Sequence, residues 1–519
     1  MGQKPEIIVI GAGIGGLASA LRLAHAGVSV TVLERHDHLG GKIRALDTPA
    51  GPADAGPTVL TLRPVFEALF RDVGEDLAQH VEMLPLPVLA RHFWRDGTVF
   101  DLSADRNKSL SDAGRIFGAR GARDLRSFTD TAARLFRAFD APMMQAAEPS
   151  QGQVTAQVLK QPSLIAAMAP HRSLADQLAR QFADPRLAQL YGRYATYVGG
   201  SPYESPALLG LVSQAEAAGV WHLPQGLGEL PRAIAALARA RGADIRTGAH
   251  VTAISGSAGA FHVACGDQSL RADAILFNGD PRALETGLLG PDPRPAVLPE
   301  ATSPRSLSAC VLAFGARVSG PALSHHNVFF GDTPRAEFDA LAQGRLPQDA
   351  TLYLCAQDRS ARPDGGAPER FEIILNAPAG LTLSDQEKQQ CQTRIFQRLA
   401  RFGLSFDPVP GPEALTTPAE FDRLFPGSLG ALYGKSPHGM MAAFKRPTAR
   451  SRVPGLYLAG GGAHPGAGVP MATLSARHAA AAILSDLPSI LMSRRTATPG
   501  GMSTGSATTG NAPSRLSAS

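Results

Sequence analysis

Apolar and polar positions in the first 33 residues predict a compact strand–helix–strand unit. Residues 6–10 form a short continuous apolar run, which is typical of a strand buried in a parallel sheet. A glycine-rich turn follows, and leucines then repeat with helical spacing as far as Gly27, where we expect the helix to end. Residues 28–33 form a second strand-like run. The pattern therefore indicates one βαβ unit at the start of the chain.

The rest of the chain alternates between helical and strand-like patterns. Residues 103–220 are rich in Ala, Leu and Arg, which predicts a mostly helical region. The other expected elements are a hairpin over 86–102, a helix over 227–241, a strand pair at 244–254 and 260–265, buried strands at 272–277 and 455–459, and a last helix over 473–484. Residues 487–519 are rich in Gly, Ser, Thr and Ala, and we expect a disordered tail there.

The composition is that of a multi-domain globular protein. The chain has 519 residues, of which 44% are hydrophobic and 18% are charged, enough to form more than one core. The net charge of +5 is mild, and it permits contact with anionic lipid headgroups. No dense basic block is interleaved with aromatic residues, so we do not expect nucleic acid as a partner.

Cysteine usage and the distribution of apolar residues indicate the compartment. The four cysteines are widely spaced and form no CxxC pair, so we expect neither a disulfide framework nor a metal site, and a reducing compartment fits. No apolar stretch approaches the roughly 18 residues that span a bilayer. The chain reaches its first strand at Ile7, and we expect no signal peptide. These features predict a cytoplasmic protein, free or attached to the membrane surface.

The turn between the first strand and the first helix has the glycine spacing of dinucleotide-binding folds. Gly11 allows the tight turn, Gly13 leaves room for a pyrophosphate, and Gly16 lets the helix pack closely on the strand. The N-terminus of the helix offers unpaired N–H groups and a partial positive charge to phosphates. Glu34 ends the second strand 18 residues after Gly16, where a carboxylate accepts hydrogen bonds from a ribose. The sequence therefore predicts a nucleotide site.

A second glycine group, Leu39-Gly40-Gly41-Lys42-Ile43-Arg44, follows the acidic residue. The glycine pair lets the chain pass close to a cofactor, and Lys42 or Arg44 can face phosphate; NAD enzymes do not usually carry this extension. Residues 7–44 resemble the FAD-binding signature of the superfamily of amine oxidases, protoporphyrinogen oxidases and carotenoid desaturases. The resemblance implies FAD as the cofactor.

Further motifs resemble the bacterial-type carotenoid desaturases. Asp54-Ala55-Gly56-Pro57-Thr58 looks like the family's aspartate–glycine–proline–threonine motif, which implies a backbone close to the flavin ring. Residues 456–470 match the second family signature, and residues 219–227 resemble the segment before a long helix. The FAD-binding residues that the motifs and the resemblance imply are Gly11, Ala12, Gly13, Gly16, Glu34, Arg35, Gly41, Lys42, Gly56, Pro57, Thr58, Val251, Gly461, Gly462, Val469, Pro470 and Met471.

The fold class that the resemblance implies is α/β: a two-domain α+β flavoprotein in which a Rossmann-type FAD-binding domain carries an interleaved substrate domain and a helical subdomain. The expected segments are 1–75, 220–290 and 425–486 for the FAD-binding domain, 76–102 and 291–424 for the substrate domain, 103–219 for the helical subdomain as lid or membrane contact, and 487–519 for the tail.

Within the family, residues 58–66, 88–92, 192–197 and 463–465 look like the 1-hydroxycarotenoid 3,4-desaturases. This resemblance implies removal of two hydrogens across C3–C4 of a 1-hydroxylated or methoxylated acyclic carotenoid at a membrane surface, with oxygen or a quinone as electron acceptor. The alternatives are a phytoene desaturase, a flavin amine oxidase-like enzyme and a non-enzymatic prenyl-binding relative. In one departure, Ala463 replaces the threonine of many relatives.

The sequence does not identify the catalytic base. His464 lies beside the presumed flavin ring and is a candidate, and the alternative is a histidine that shapes the turn. Other candidates for the base are His222, His92 and Tyr197. Candidates for holding the substrate hydroxyl are Arg63, His92, Arg193 and Tyr194. We expect Trp94 and Trp221 to belong to the core or to the wall of a substrate tunnel.

Overall fold

The computed structural model of the protein describes residues 4–360 and 367–496. Its strands are, in chain order, β1 (Glu6–Ile10), β2 (Ser29–Leu33), β3 (Ala45–Leu46), β4 (Ala53–Asp54), β5 (Leu84–Pro85), β6 (Val88–Phe93), β7 (Val99–Ser103), β8 (Trp221–His222), β9 (Asp244–Arg246), β10 (Val251–Ser257), β11 (Ala260–Cys265), β12 (Gln268–Ala272), β13 (Ala274–Phe277), β14 (Ser308–Ser319), β15 (His326–Phe329), β16 (Leu352–Ala356), β17 (Glu369–Ala377), β18 (Ser405–Asp407), β19 (Leu415–Thr416) and β20 (Leu456–Leu458).

The α-helices are α1 (Ile14–His25), α2 (Arg63–Arg71), α3 (Arg106–Phe139), α4 (Gln151–Lys160), α5 (Ser163–Met168), α6 (Leu174–Gln181), α7 (Pro185–Gly192), α8 (Val212–Ala217), α9 (Glu229–Ala240), α10 (Pro281–Glu285), α11 (Pro299–Thr302), α12 (Pro334–Ala342), α13 (Asp385–Ala400), α14 (Pro418–Leu424) and α15 (Val469–Thr496). Short 3₁₀ turns include Arg193–Val198 and Ala207–Leu211, and a π turn covers Asp140–Met144.

A five-stranded parallel sheet in the order β20-β13-β1-β2-β9 forms the nucleotide-binding domain. Ile7 and Val9 of β1 bury against α1, α2, α9 and α15 on one face. Ile8 and Ile10 bury against the antiparallel sheet β10-β11-β12 on the other face. Because both faces of β1 are covered, the strand is continuously apolar, as the pattern predicts.

A mixed sheet in the order β18-β14-β17-β16-β15-β6-β7, with β19 beside β14, forms the second domain. Its longest pairing joins β14 and β17 in antiparallel register from Ser308↔Ala377 to Ala316↔Glu369. One face packs on α13 to form an aliphatic and aromatic core. The opposite face is directed toward the nucleotide-binding domain, so the sheet provides a wall for any molecule between the two.

The helical region covers one end of the mixed sheet. Helix α3 leaves helical geometry at Gly118 (φ 76°, ψ 173°) and then continues to Phe139. Phe128 of this helix packs against Phe182 and Tyr191 in a core that also includes residues of β6 and β7. The region is therefore a packed layer joined to the sheet.

The fold class is confirmed, because a Rossmann-type parallel sheet, a mixed sheet and a helical layer are all present. The division of the chain into domain segments stays a prediction. The strand expected at 244–254 is wrong as one element: the chain turns at Gly248 (φ 67°), so β9 joins the parallel sheet and β10 joins the antiparallel one.

The expected tail at 487–519 is also wrong in its first part. Helix α15 starts at Val469 and continues to Thr496, and Leu487 and Ile490 are buried in the main core. Burial of apolar side chains on the inner face extends the helix beyond the point where the composition changes. The remainder of the expected tail, 497–519, lies outside the described residues.

All four cysteines are free thiols, and Cys310, Cys355 and Cys391 are buried. Across residues 4–360 and 367–496, we find no helix that combines the length and the apolarity needed to cross a bilayer.

The packing of α15 gives a direct test of the corrected C-terminal boundary. Leu487→Ala removes buried methyl groups and is expected to lower the free energy of unfolding by about 2–5 kcal/mol. Met492→Ala is the matched control, because Met492 is 70% exposed on the same helix and its loss is expected to cost less than about 0.5 kcal/mol. Urea unfolding measures both, and equal stability of the two variants would contradict this packing.

Candidate cofactor and substrate site

One continuous cavity of about 1380 Å³ extends from the β1–α1 turn, past the mixed sheet, to the helical region. This volume exceeds the 300–1,000 Å³ of ordinary small-molecule pockets, so the cavity has room for a large cofactor and a second molecule. The expected FAD-binding residues that line it are Gly11, Gly13, Glu34, Arg35, Gly41, Lys42, Gly56, Pro57, Thr58, Val251, Gly461, Gly462, Val469, Pro470 and Met471.

The nucleotide end is built around Glu34 at the end of β2. Its carboxylate accepts hydrogen bonds from the backbone N–H of Ala12 at 2.7 Å and of His36 at 3.0 Å. The side chain is buried yet lines the cavity, so the two amides fix its orientation toward a ligand. Helix α1 begins directly after Gly13, and its unpaired N–H groups are available to an anion.

Two of the expected residues do not line the cavity. Ala12 is fully buried and acts through its amide, which donates to Glu34. Gly16 lies behind the turn, where a Cβ would come within 2.0 Å of the Gly11 carbonyl oxygen. Arg44 is also directed elsewhere: its Nη2 donates to Thr416 Oγ1 at 2.7 Å. These residues shape or support the loops, and the sequence motif alone does not separate that role from ligand contact.

Two buried cations, Lys42 and Arg446, line the cavity. The Lys42 ammonium donates to the Leu432 carbonyl at 2.8 Å, and burial lowers the pKa of Lys42 to about 8. Burial also lowers the pKa of Arg446 to about 10. The Asp280 carboxylate, paired with Arg305, acts on both. A diphosphate would stabilise the charged forms of both side chains, so these residues fit FAD.

Arg446 and Asn278 were not found from the sequence, although both line the cavity. Arg446 donates to the carbonyls of Gly461 at 3.1 Å and Tyr433 at 2.9 Å, which joins the second glycine signature to the preceding segment. Asn278 Nδ2 donates to the Gly11 carbonyl at 3.2 Å. Each lies outside a recognisable motif, and only its tertiary position reveals its contact with the site.

The segment expected near the flavin ring lies against the mixed sheet. The Gln357 side-chain amide accepts from the backbone N–H of Asp54 and donates to its carbonyl, both at 2.9 Å. The Asp54 carboxylate accepts from the Leu227 N–H at 2.9 Å, and burial raises its pKa. Thr58 Oγ1 lies 2.7 Å from the Tyr353 hydroxyl. These contacts fix the backbone of the motif at the cavity wall.

His464 lines the cavity, but its Nε2 lies 2.8 Å from the Ala146 carbonyl oxygen. A carbonyl only accepts, so Nε2 carries the proton in this contact. Burial also lowers the pKa of His464. This arrangement favours the alternative that the histidine shapes the turn.

The structure places some of the other sequence candidates at the cavity and others away from it. Tyr197 and Arg193 line the cavity, and Tyr194 lies directly behind Arg193. Three candidates lie away from the cavity. His92 is packed among Trp94, Phe100 and Phe330. The His222 ring lies beside that of His325, and Arg63 pairs with Glu67. Trp94 and Trp221 pack in hydrophobic cores and not in the cavity wall.

A group of potential metal ligands appears that the sequence spacing did not suggest. One ligand atom each of His325, His326 and Cys355 lies within 4.8 Å of the others, and all three residues are buried. His326 Nδ1 lies 2.7 Å from the Tyr353 hydroxyl, and His325 Nε2 lies 3.5 Å from Cys355 Sγ. Hydrogen bonds therefore already engage one nitrogen of each imidazole.

The far part of the cavity is apolar. Aliphatic, aromatic and thioether side chains from α3 to α8 form its wall: Phe136, Phe139, Met143, Met144, Val154, Met168, Leu208, Leu211 and Val212. Unbranched methionines adapt to the shape of a flexible apolar ligand. This channel therefore fits a long hydrocarbon.

Comparisons with known proteins agree with this site. The flavin containing amine oxidoreductase family matches residues 14–484. The hydroxyneurosporene desaturase of Cereibacter sphaeroides is 53% identical over 93% of this chain and 98% of its own. That of Rhodobacter capsulatus is 47% identical over 94% and 99%. The 1-hydroxycarotenoid 3,4-desaturase of Flavobacterium sp. is 29% identical over 91% and 97%.

Solved structures share the fold. Cyclohexylamine oxidase from Brevibacterium oxydans has a TM-score of 0.57 at 18% identity and covers 94% of this chain and 100% of its own. Putrescine oxidase bound to putrescine has a TM-score of 0.58 at 15% identity and covers 93% and 99%. At this identity the likeness establishes the fold alone.

The fold and the site define an FAD-dependent oxidoreductase that acts on CH–CH groups. The chain belongs to the flavin containing amine oxidoreductase family and, within it, to the bacterial carotenoid desaturases. The expected family, cofactor and enzyme class are confirmed, and the non-enzymatic alternative is wrong.

The low pKa of Lys42 gives the site a pH dependence. Before FAD binds, the ammonium loses its proton near pH 8. Because a diphosphate stabilises the charged form and so raises this pKa, binding above about pH 8 requires uptake of a proton. Affinity for FAD is therefore expected to fall between about pH 7 and 9, approaching tenfold per pH unit at the upper end.

The variant Lys42→Arg is the control, because a guanidinium keeps its proton over this range. Its FAD affinity is expected to stay flat with pH. Quenching of flavin fluorescence on titration of the apoprotein measures both dissociation constants. A flat wild-type profile would contradict the coupling between Lys42 and the cofactor.

Proposed function

We propose that this carotenoid desaturase removes two hydrogens across C3–C4 of acyclic carotenoids that carry a 1-hydroxyl or 1-methoxyl group. The observation that carries the proposal is the continuity of the cavity, which joins the nucleotide-binding loop to an apolar channel. Relatives named hydroxyneurosporene desaturase, 53% and 47% identical to this chain, support a hydroxylated substrate. The second candidate is phytoene as substrate, with the same fold and chemistry.

The chemistry divides between cofactor and protein. FAD, when bound, accepts the hydride that leaves the allylic carbon. The protein holds the polyene in a channel lined by apolar side chains, which excludes water from the reacting carbons. We propose that the cofactor is bound by the expected FAD-binding residues that line the cavity, together with Arg446 and Asn278. Oxygen or a quinone is the proposed final electron acceptor.

A hydrogen-bonded route leads away from the cavity for the second hydrogen, which leaves as a proton. Thr58 and Tyr353 line the cavity, and the Tyr353 hydroxyl contacts both Thr58 Oγ1 and His326 Nδ1 at 2.7 Å. Burial lowers the pKa of His326 to about 3, so this imidazole is neutral and has a nitrogen lone pair available. A weak base is sufficient, because loss of the hydride acidifies the neighbouring C–H bond.

We also propose that the enzyme attaches to the membrane through α4 and α5. These helices line the cavity with Val154 and Met168, and they expose Leu159 at 73% and Ile165 at 50% to the outside. An apolar surface beside a channel entrance suits shallow insertion at the lipid interface. A carotenoid then passes from lipid to the channel without crossing water.

The substrate assignment is tested with purified enzyme, FAD and liposomes that contain either 1-hydroxyneurosporene or phytoene. Visible spectra followed over time are expected to shift to longer wavelength with the hydroxylated carotenoid alone, because one more conjugated double bond forms. Parallel runs with oxygen or with a quinone under anaerobic conditions identify the electron acceptor. New visible bands from phytoene would favour the second candidate.

Membrane attachment is tested by flotation with liposomes. Wild-type enzyme is expected to float, and the double variant Leu159→Asp with Ile165→Asp is expected to stay at the bottom, because buried charges oppose insertion. Val409→Asp is the matched control: Val409 is 52% exposed outside the helical region, and its variant is expected to float. The proposal is wrong if wild type fails to float or if all three proteins behave alike.

A further inference from the structure

A group of polar side chains lies in the wall of the apolar channel. Arg193, Tyr194, Tyr197 and Glu216 form this group, which we call the Glu216 cluster. The Glu216 Oε1 atom accepts from Arg193 Nη2 at 3.2 Å and from the Tyr194 hydroxyl at 2.8 Å. The Oε2 atom accepts from the Tyr197 hydroxyl at 2.7 Å. Arg193 Nη1 also donates to the Tyr197 hydroxyl at 2.5 Å.

The cluster keeps capacity for one more hydrogen-bonding group. Arg193, Tyr197 and Glu216 line the cavity. Arg193 Nη1 and Nη2 each donate one described hydrogen bond to the cluster, although each of these nitrogens carries two N–H groups. The Glu216 Oε2 atom accepts a single described hydrogen bond, although a carboxylate oxygen has room for two. Within the described residues, the cluster therefore has a free donor and a free acceptor. An alcohol can pair with both, because its hydroxyl accepts one hydrogen bond and donates another.

Stability does not explain these charges. The Arg193 and Glu216 side chains are only 8% and 2% exposed. Removing an ion pair from water costs several kcal/mol per ion, and well-packed apolar residues of equal volume serve stability as well or better. Around the cluster the channel is apolar, with Leu211 and Val212 nearby in the wall. A buried polar site in an apolar channel fixes the orientation of a ligand that carries a matching polar group.

The cluster shares the cavity with the motif that the resemblance places near the flavin ring. Tyr353 also lines this cavity, and its hydroxyl lies 2.7 Å from Thr58 Oγ1. Thr58 belongs to the motif at the cavity wall.

On the other side, a Cβ added at Gly199 would lie 2.5 Å from the Tyr433 ring. The Tyr433 carbonyl accepts from Arg446, which also donates to Gly461 in the second glycine signature. The segment 193–199 therefore packs against the part of the chain that Arg446 joins to the second glycine signature.

We propose that the Glu216 cluster binds the C1 hydroxyl of the substrate, with the Glu216 carboxylate accepting the hydroxyl proton and the Arg193 guanidinium donating to the hydroxyl oxygen. This inference rests on the proposed function. In the substrate the hydroxyl oxygen and C3 are separated by three bonds, which span at most about 4 Å. Binding the hydroxyl therefore fixes which carbon pair faces the cofactor, and it rejects carotenoids that lack the group.

Three substrates that differ only at C1 distinguish the parts of the cluster. An alcohol donates to Glu216 and accepts from Arg193, a methyl ether only accepts, and a hydrocarbon does neither. For the wild-type holoenzyme, kcat/KM is expected to fall in the order alcohol, ether, hydrocarbon, with about ten- to hundredfold between the first and the last. The anaerobic rate of loss of the visible flavin absorbance provides the same ratio without an electron acceptor.

The variants Glu216→Gln and Tyr197→Phe test the residues, and Tyr191→Phe is the matched control. Tyr191 is buried beside Tyr194, with ring centroids 5.8 Å apart, and lies outside the cavity wall. Both cluster variants are expected to reduce the alcohol-to-hydrocarbon ratio at least tenfold, chiefly through the alcohol, and the flavin content of each variant is measured to show that it folds. The control is expected to keep the wild-type ratio.

The outcomes separate the inference from the function on which it rests. If wild-type enzyme converts the alcohol with preference and both cluster variants keep that preference, the inference is wrong and the proposed function stands. An ether converted as well as the alcohol would overturn the acceptor role of Glu216. No conversion of the alcohol by wild type would overturn the proposed function itself. If Glu216→Gln fails to fold, Tyr197→Phe, which removes one oxygen atom, decides the question alone.

Discussion

Direct backbone contact between glycines from distant parts of the chain is the constraint on which the site depends. A Cβ at Gly15 would lie 2.9 Å from Gly460 Cα, and one at Gly41 would lie 3.1 Å from Gly13 Cα. A side chain at these positions would force the loops apart. The β1–α1 turn, the loop after β2 and the loop after β20 therefore meet only because they lack side chains. Their meeting places the N-termini of α1 and α15 at one cavity.

The sequence predicts the local elements of the fold well and their joining less well. The βαβ unit follows from the apolar pattern and the glycine turn, which act within a few residues. The strand expected at 244–254 is divided because Gly248 turns the chain and each half finds a different sheet. The last helix exceeds its expected end because Leu487 and Ile490 find a core made of other segments. Both differences come from contacts that are remote in sequence.

The residues of the candidate site show the same contrast between positions that local sequence predicts and positions that depend on long-range contacts. Residues expected to touch a cofactor, such as Glu34, are predictable because the spacing to the glycines of the β1–α1 turn fixes their position. Arg446 and Glu216 are not, because each lies in a segment without a motif and reaches the cavity through tertiary folding. Charge adds a second difficulty. The sequence predicts that Lys42 can face phosphate, but only the structure shows that the side chain is buried and that burial lowers its pKa to about 8.

The continuity of the cavity has a consequence for the maturation of the enzyme. The nucleotide-binding loops and the apolar channel line one cavity, and α4 and α5, which also line it, expose Leu159 and Ile165. With the membrane attachment proposed above, a newly folded chain that met lipid before FAD would leave its nucleotide-binding loops open to acyl chains. We therefore expect FAD loading in the aqueous phase to precede attachment to the bilayer.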